Sequence, residues 1–266
     1  MKDFFILELP NYEVKFEENQ NYKYKNDKGK ENLKKVLLSA SRGYCMYCYT
    51  RVEVDRKNYG HLEHSVEQET APVLSNCHHN ISIACSTCNL SLKKREQGKR
   101  KVEIEEKLIC DFSCESTPCD AYYTVANKYI SNLTEKDGIK KFILRPRGVI
   151  QGDNPKERIY YKVAYDLLNC KFIPYGDERY LPESKKYIEE HIEKFCLNDE
   201  EYRTKEIEKV VEDIINLKQI PNKTRYNNLV AGLFIEKLER ISSKFGMERV
   251  LKICTTIETM RVMKSN

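Results

Sequence analysis

Three pieces of one stretch decide how this chain is read: CMYC at residues 45–48, HLEHSVEQE at 61–69 and HHNISIACSTCNLSLK at 78–93. Cys45 with Cys48, and Cys85 with Cys88, have the Cys-x-x-Cys spacing by which a tight turn presents two thiolates to one tetrahedral Zn²⁺. Four thiolates close a tetrahedron, so such an ion is structural rather than catalytic, and it would pin together the two ends of the segment 49–84. Two such pairs in one neighbourhood outweigh the alternative of four unrelated thiols.

Between the pairs lie a carboxylate and an imidazole. Glu63 can hold a hard cation, and His64 can act as a base near neutral pH. Neighbouring residues on a strand point to opposite faces, so a strand end or a bulge is needed if both are to serve one site. After the second pair, Ser86 reads as a helix N-cap and Gly98 as a stop. Asn89 then falls in the first helical turn, with Lys93 four residues later on the same face. A helix start favours anions, and Lys93, Lys94 and Arg95 add positive charge. A carboxylate, an imidazole, an amide oxygen and a basic helix start, clamped by zinc, suit phosphodiester cleavage.

Taken in order, CxxC, Glu-His, Asn, CxxC-Asn and Lys resemble the HNH endonucleases of the zinc-bearing ββα-metal type, over residues 40 to 100. The resemblance implies a role for each matching residue. His64 would be the general base that activates water, and Asn80 would brace the loop carrying it. Glu63 and Asn89 would be ligands of a catalytic Mg²⁺ or Mn²⁺, and Lys93 would face phosphate. One position departs from the pattern: the family often has Pro three residues after the base, where this chain has Glu67. That leaves the turn after His64 open and suggests an added carboxylate at the rim. Further on, YIEEHIEKFCLNDEEYRTKEIEKVVEDI (187–214), with Leu197, Asn198 and Arg203, is similar to the helical tail of HNH proteins from Septu-type and retron-associated antiphage systems. There the nuclease works beside an ATPase, so the resemblance implies an effector nuclease with an ATPase partner.

The rest of the chain sets limits. Its 266 residues, 40% hydrophobic and 33% charged, fit a folded protein rather than a disordered one. No run is long and apolar enough to span a bilayer and MKDFFILELPNYE lacks a signal-peptide pattern, so a cytoplasmic protein without membrane association is expected. Eleven cysteines, an odd number in a long chain, favour metal binding over a disulfide framework. A net charge of +5 permits a nucleic-acid partner, DNA ahead of RNA, without demanding one.

The expected fold class is α+β: a ββα-metal module with a structural four-cysteine zinc site, then a mainly helical C-terminal region. The expected divisions are an arm and helix at 1–40, the nuclease core at 41–105, and a mixed, then helical, partner-binding candidate at 106–266. Phe4 to Leu9 reads as a strand or extended arm ended by Pro10. A helix begins at Asn26 or Asp27, carries Leu33, Val36 and Leu37 inward, and stops at Gly43. Residues 110–120 read as a loop near a domain boundary, and 121–175 could be strand or helix. Asn198 and Glu201 form a capping box for a helix whose stripe is Ile207, Val210, Val211, Ile214 and Ile215. Two more amphipathic segments, 224–242 and 246–262, part around Phe245 and Gly246.

Other chemistry-bearing residues have plainer explanations beside the functional ones. His61 is a candidate partner of the cation's own ligands or a structural or exposed residue, and His78 and His79 are DNA contacts or part of a polar loop. Cys77, Cys110, Cys114 and Cys119 are a further metal site or, given their uneven spacing, reduced thiols. GKRK at 98–101, Arg145 and Arg147 track a phosphate backbone or form a solvated surface. The rival functions are a stand-alone restriction or homing-type HNH nuclease, for which no sequence-reading module is visible, and a zinc-stabilised binding module that does not cleave.

Overall fold

A computed structural model describes residues 2–10, 12–100, 120–135, 138–144, 150–151, 159–160, 162–175, 182–199 and 205–265. Cys110, Cys114, Cys119, Lys101, Arg145, Arg147, Glu201 and Arg203 lie outside the described residues, as does most of the loop expected at 110–120. In chain order the elements are β1 (Ile6–Glu8), α1 (Asp27–Ser41), β2 (Glu53–Val54), β3 (Lys57–Asn58), β4 (His61–His64) and β5 (Ile81–Ala84). There follow α2 (Asp120–Glu135), β6 (Ile150–Gln151), β7 (Ile159–Tyr160), β8 (Lys162–Asp166), β9 (Lys171–Tyr175), α3 (Pro182–Lys194), α4 (Glu206–Leu217) and α5 (Leu229–Ser265). The class is mixed α+β, and among the described residues no helix is long and apolar enough to cross a membrane.

The chain divides into two units that do not follow linear order. One comprises Met1–Leu9, Lys162–Tyr175 and Cys196–Asn266; the other comprises Pro10–Tyr161 and Gly176–Phe195.

The motif residues belong to the second of these. Its first helix, α1, is fixed at both ends. The Asn26 side chain accepts the Gly29 N–H at 3.0 Å. A Cβ on Gly29 would sit 2.2 Å from the Lys23 carbonyl oxygen, so only glycine fits that first turn. At the other end Arg42 is left-handed, Gly43 has φ 78°, and the Gly43 N–H reaches back to the Leu38 carbonyl at 2.8 Å. Leu33 and Leu37 are buried where α1 packs on β4 and β5. β4 and β5 form an antiparallel pair in the register His61↔Ala84, Leu62↔Ile83, Glu63↔Ser82 and His64↔Ile81. Behind them Tyr47 stacks on Phe195 at 4.8 Å, and Phe142 meets Phe195 edge-on at 6.0 Å. His191 of α3 accepts the Ile143 N–H at Nδ1, 3.0 Å away.

In the other unit β1, β8 and β9 make a three-stranded antiparallel sheet in the order β1-β8-β9. Ile207, Val210, Val211 and Ile214 of α4 are buried, as their spacing requires, and α4 packs on α5. Arg261 of α5 ties the two helices by reaching Glu208 of α4 at 3.0 Å. Gly246 breaks α5 with φ 79°, at the division expected there.

Asn198 is not a helix cap. α4 begins at Glu206, and the Asn198 amide lies on the open edge of β9, accepting the Phe172 N–H at 2.7 Å and donating to its carbonyl at 2.9 Å. A single side chain thus replaces a neighbouring strand. Asn198→Ala should destabilise this unit by about 1–3 kcal/mol. Hydrogen exchange should show the Phe172 amide losing protection, while the amides of α4 from Lys209 onward keep theirs.

Candidate metal centre and the His64 loop

The four cysteines meet. Cys45 and Cys48 lie on a turn closed by Cys45 N–H to Thr50 O at 2.7 Å and Tyr49 N–H to Cys45 O at 2.9 Å. Tyr49 takes the left-handed backbone that so tight a turn needs. The Met46 N–H donates to the Ile83 carbonyl at 2.9 Å, which ties the turn to β5. Cys85 and Cys88 follow directly from the end of β5, and the Cys88 N–H points at the Cys85 sulfur. All four Sγ atoms lie within 4.8 Å of one another, with Cys48 and Cys85 at 3.6 Å. Zn–S bonds of about 2.3 Å place tetrahedral sulfurs about 3.8 Å apart, so the cluster fits a zinc-sized ion. Burial pushes the Cys45 and Cys88 thiols well up, while Cys85, hydrogen-bonded by Cys45, is lowered. Metal binding therefore has to displace protons, and affinity falls in acid.

β4 sends Glu63 and His64 to opposite faces. Glu63 turns inward and is 4% exposed. Its Oε2 accepts the Tyr47 hydroxyl and, at 3.0 Å, the Ser82 hydroxyl; its Oε1 pairs with the Lys93 ammonium. Burial, then the neighbouring Glu63 charge, raises the Tyr47 phenol well above its ordinary value, so it stays a donor. Lys93 is buried too, and its Nζ also donates to the main-chain carbonyl of His64. Lys93 thus faces a carboxylate rather than solvent. Both oxygens of Glu63 are engaged and its charge is compensated, which does not fit an open ligand for a hard cation.

His64 packs its ring edge-on against Tyr24, with centroids 4.5 Å apart. Its Nε2 lies 3.0 Å from the Ser75 carbonyl oxygen and 3.3 Å from the Gln68 amide nitrogen. A carbonyl can only accept, whereas the two ends of a glutamine amide can exchange places, so the Ser75 contact sets the tautomer. Nε2 carries the hydrogen, and the lone pair of the neutral ring is on Nδ1. Burial lowers the His64 pKa from its ordinary value, with the Ser75 hydrogen bond opposing. The neutral form therefore prevails at pH 7.

The loop between β4 and β5 is held by two side chains. Asn80 accepts the Val66 N–H at 2.8 Å and donates to the Val66 carbonyl at 3.0 Å, pinning the backbone two residues beyond His64. Glu67 is not at a rim. Arg100 donates to its Oε1 from Nη2 at 2.6 Å and from Nε at 3.0 Å, and Tyr129 of α2 donates to Oε2 at 2.7 Å. Arg100 also donates to the carbonyls of Lys93 at 2.6 Å and Arg95 at 2.7 Å. Where proline would stiffen the turn through its ring, this chain uses a buried ion pair. Arg100 of the GKRK cluster is therefore fully buried, neither solvated nor available to phosphate.

The helix after Cys85 is shorter than its caps suggest. It spans Thr87–Leu92 with i+5 hydrogen bonds, Lys93 N–H to Cys88 O at 2.9 Å. Ser86 is itself helical and makes no side-chain cap, and the expected stop at Gly98 falls inside a later short turn, Gln97–Arg100. Six residues are too few for a dipole-based anion site. Asn89 is half-buried on this helix, and exposed positive charge falls to Lys94 and Arg95. His61 is exposed at the far end of β4. His78 and His79 are buried against Phe16, with ring centroids 4.1 and 5.5 Å away, so they are neither DNA contacts nor a polar loop.

No local pattern marks Tyr129 or Arg100 as part of this site. Tyr47 and Ser82 carry a faint signal: Ser82 follows from pairing HLEH with ISIA in antiparallel register, and Tyr47 sits inside the first Cys-x-x-Cys.

Burial alone would push Glu67 up, but the Lys93 and Arg100 charges outweigh it and hold the carboxyl below its ordinary 4.5. A depressed carboxyl stabilises the fold fully above its unfolded pKa, and the effect is lost as pH falls through the folded value. Glu67→Ala, which strands the Arg100 charge, should cost about 3–5 kcal/mol at pH 7. In denaturant titrations the stability advantage of wild type over Glu67→Gln should be constant above pH 4.5 and shrink below it. Cysteine protonation affects both proteins alike and leaves this difference intact.

Comparison with protein-family models, with curated proteins and with solved structures finds no match to this chain.

Proposed function

We propose that residues 45–93 form the hydrolytic site of an HNH-type endonuclease that cleaves phosphodiester bonds, with DNA as the substrate class. The observation that carries this is the placement of His64. It sits at the end of β4 with Nε2 committed to the Ser75 carbonyl, so Nδ1 is the one ring atom that can take a proton. A neutral imidazole fixed by a backbone carbonyl is a ready general base. Support also comes from the order of parts: a β4–β5 hairpin, a four-cysteine cluster at one end and a short helix directly after it.

Nδ1 of His64 accepts a proton from water as the water oxygen bonds to phosphorus, and the P–O3′ bond breaks with its electron pair leaving on O3′, which takes up a proton from solvent. Asn80 and the Glu67–Arg100 pair keep the loop, and with it the Ser75 carbonyl, from shifting. Lys94 and Arg95 are exposed beside the helix and can meet the nucleic-acid backbone. Mg²⁺ or Mn²⁺ belongs to this proposal as the ion that the family resemblance implies. Of its two expected donors, Asn89 is half-buried on the helix and Glu63 is closed by Lys93. The proposed setting is a bacterial antiphage defence system in which the protein is the effector beside an ATPase, carried by the tail similarity at 187–214. A zinc-stabilised binding module without cleavage is favoured by one observation, the enclosure of Glu63.

A plasmid-nicking assay with Mg²⁺ or Mn²⁺ tests the proposal. Wild type should cut and His64→Ala should be slower by about 10²–10⁴-fold with zinc content and fold retained. Because the base must be neutral, the wild-type rate should fall as pH drops below 6.5, the ordinary histidine value from which His64 is lowered. Wild type that cuts no nucleic acid under any divalent cation, with its partner present, refutes it.

A further inference from the structure

We propose that Glu63 and Lys93 are positioning residues for His64, and that the ammonium of Lys93, not a divalent ion, is the cation of the Glu63 carboxylate. This rests on the nuclease reading of the same site. A carboxylate offers about four lone-pair positions, and here three donors converge on it: the Tyr47 hydroxyl, the Ser82 hydroxyl and the Lys93 Nζ. The side chains of Lys93 and Glu63 are 5% and 4% exposed, so neither has water to fall back on. A divalent ion could reach Glu63 only by expelling Lys93, and a buried ammonium with no acid to pair with is strongly disfavoured.

The same ammonium donates to the main-chain carbonyl of His64, the residue whose ring Nδ1 takes the proton. Lys93 also passes the constraint onward, since its own carbonyl accepts Arg100 Nη2 at 2.6 Å. Its carboxylate Glu63 is anchored from β5 by Ser82, its partner in the strand register. The end of β4 is thereby tied on one side to the turn of the first Cys-x-x-Cys and on the other to the segment after the helix. The imidazole inherits its position from that frame. Where the sequence motif suggests an open acid beside the base, the structure has a closed pair beneath it.

The test uses the full-length, zinc-loaded protein and the variants Glu63→Gln, Lys93→Met and the two combined. Each single variant strands one buried charge and should lower the thermal midpoint by about 10 °C, or fail to fold. The double variant removes both charges and should regain more than half of that loss. Mn²⁺ binding, read from the free-ion spin-resonance signal and independent of cleavage, should be within about twofold of wild type in the double variant. With its midpoint regained, the double variant should still cut at least tenfold more slowly, because nothing holds the His64 carbonyl. Single variants with wild-type midpoints overturn the proposal. So does a double variant that regains the midpoint but loses Mn²⁺ binding tenfold, and so does one that regains the midpoint and cuts at the wild-type rate. If wild type does not cut at all, the nuclease reading fails, while the midpoints and Mn²⁺ binding still judge the ion pair.

Discussion

β4 and β5 are paired so that Glu63 stands opposite Ser82 and His64 opposite Ile81, and a strand can send only one of two adjacent side chains to a given face. Much of the site follows from that constraint. The carboxylate is directed into the interior, where Tyr47, Ser82 and Lys93 meet it. The imidazole is directed toward the loop 65–80, where a backbone carbonyl fixes its tautomer. A shift of one residue in the pairing would exchange the two faces, placing a neutral ring among groups arranged for an anion. The four-cysteine cluster guards against such slippage: the first pair is tied to β5 through Met46 and Ile83, and the second follows from the end of β5 itself.

Two acid–base pairs with little or no exposure to water lie close to one another around this strand, Glu63 with Lys93 and Glu67 with Arg100. Buried ion pairs contribute little net stability relative to well-packed apolar groups, but each specifies a geometry because its charges tolerate only one arrangement. Here the specified geometry is the path of the chain on both sides of His64. The loop that carries the Ser75 carbonyl has no regular strand or α-helix of its own, and it is held by Asn80 and Glu67 instead. Asn198 in the other unit does similar work, giving a strand edge the hydrogen bonds that a neighbouring strand would give.

What was legible in the sequence was what depends on local spacing. The Cys-x-x-Cys pairs predict the sulfur cluster, Asn26 and Gly43 bracket α1, and the apolar stripe of α4 is buried except at Ile215, which is half-buried. What was not legible depends on distant contacts. Nothing near Glu67 or Arg100 announces that they will meet Tyr129, which lies on another helix. Lys93 and Arg100 read as surface charges because such residues usually are, and only the position of the acids reverses that. The helix after Cys85 shows a third limit. Ser86 and Gly98 are good signals for its ends, but the chain there is shaped by two metal-directed thiols and a buried lysine, and these override the caps.

The Ser75 carbonyl fixes His64 with its proton on Nε2 and leaves Nδ1 as the basic atom. Two-bond ¹H–¹⁵N correlation spectra of the histidine rings in zinc-loaded protein above pH 7 read this tautomer. A His64 ring with Nε2 protonated and Nδ1 bare is the predicted result. A ring protonated on Nδ1, or one exchanging between both tautomers, would contradict it.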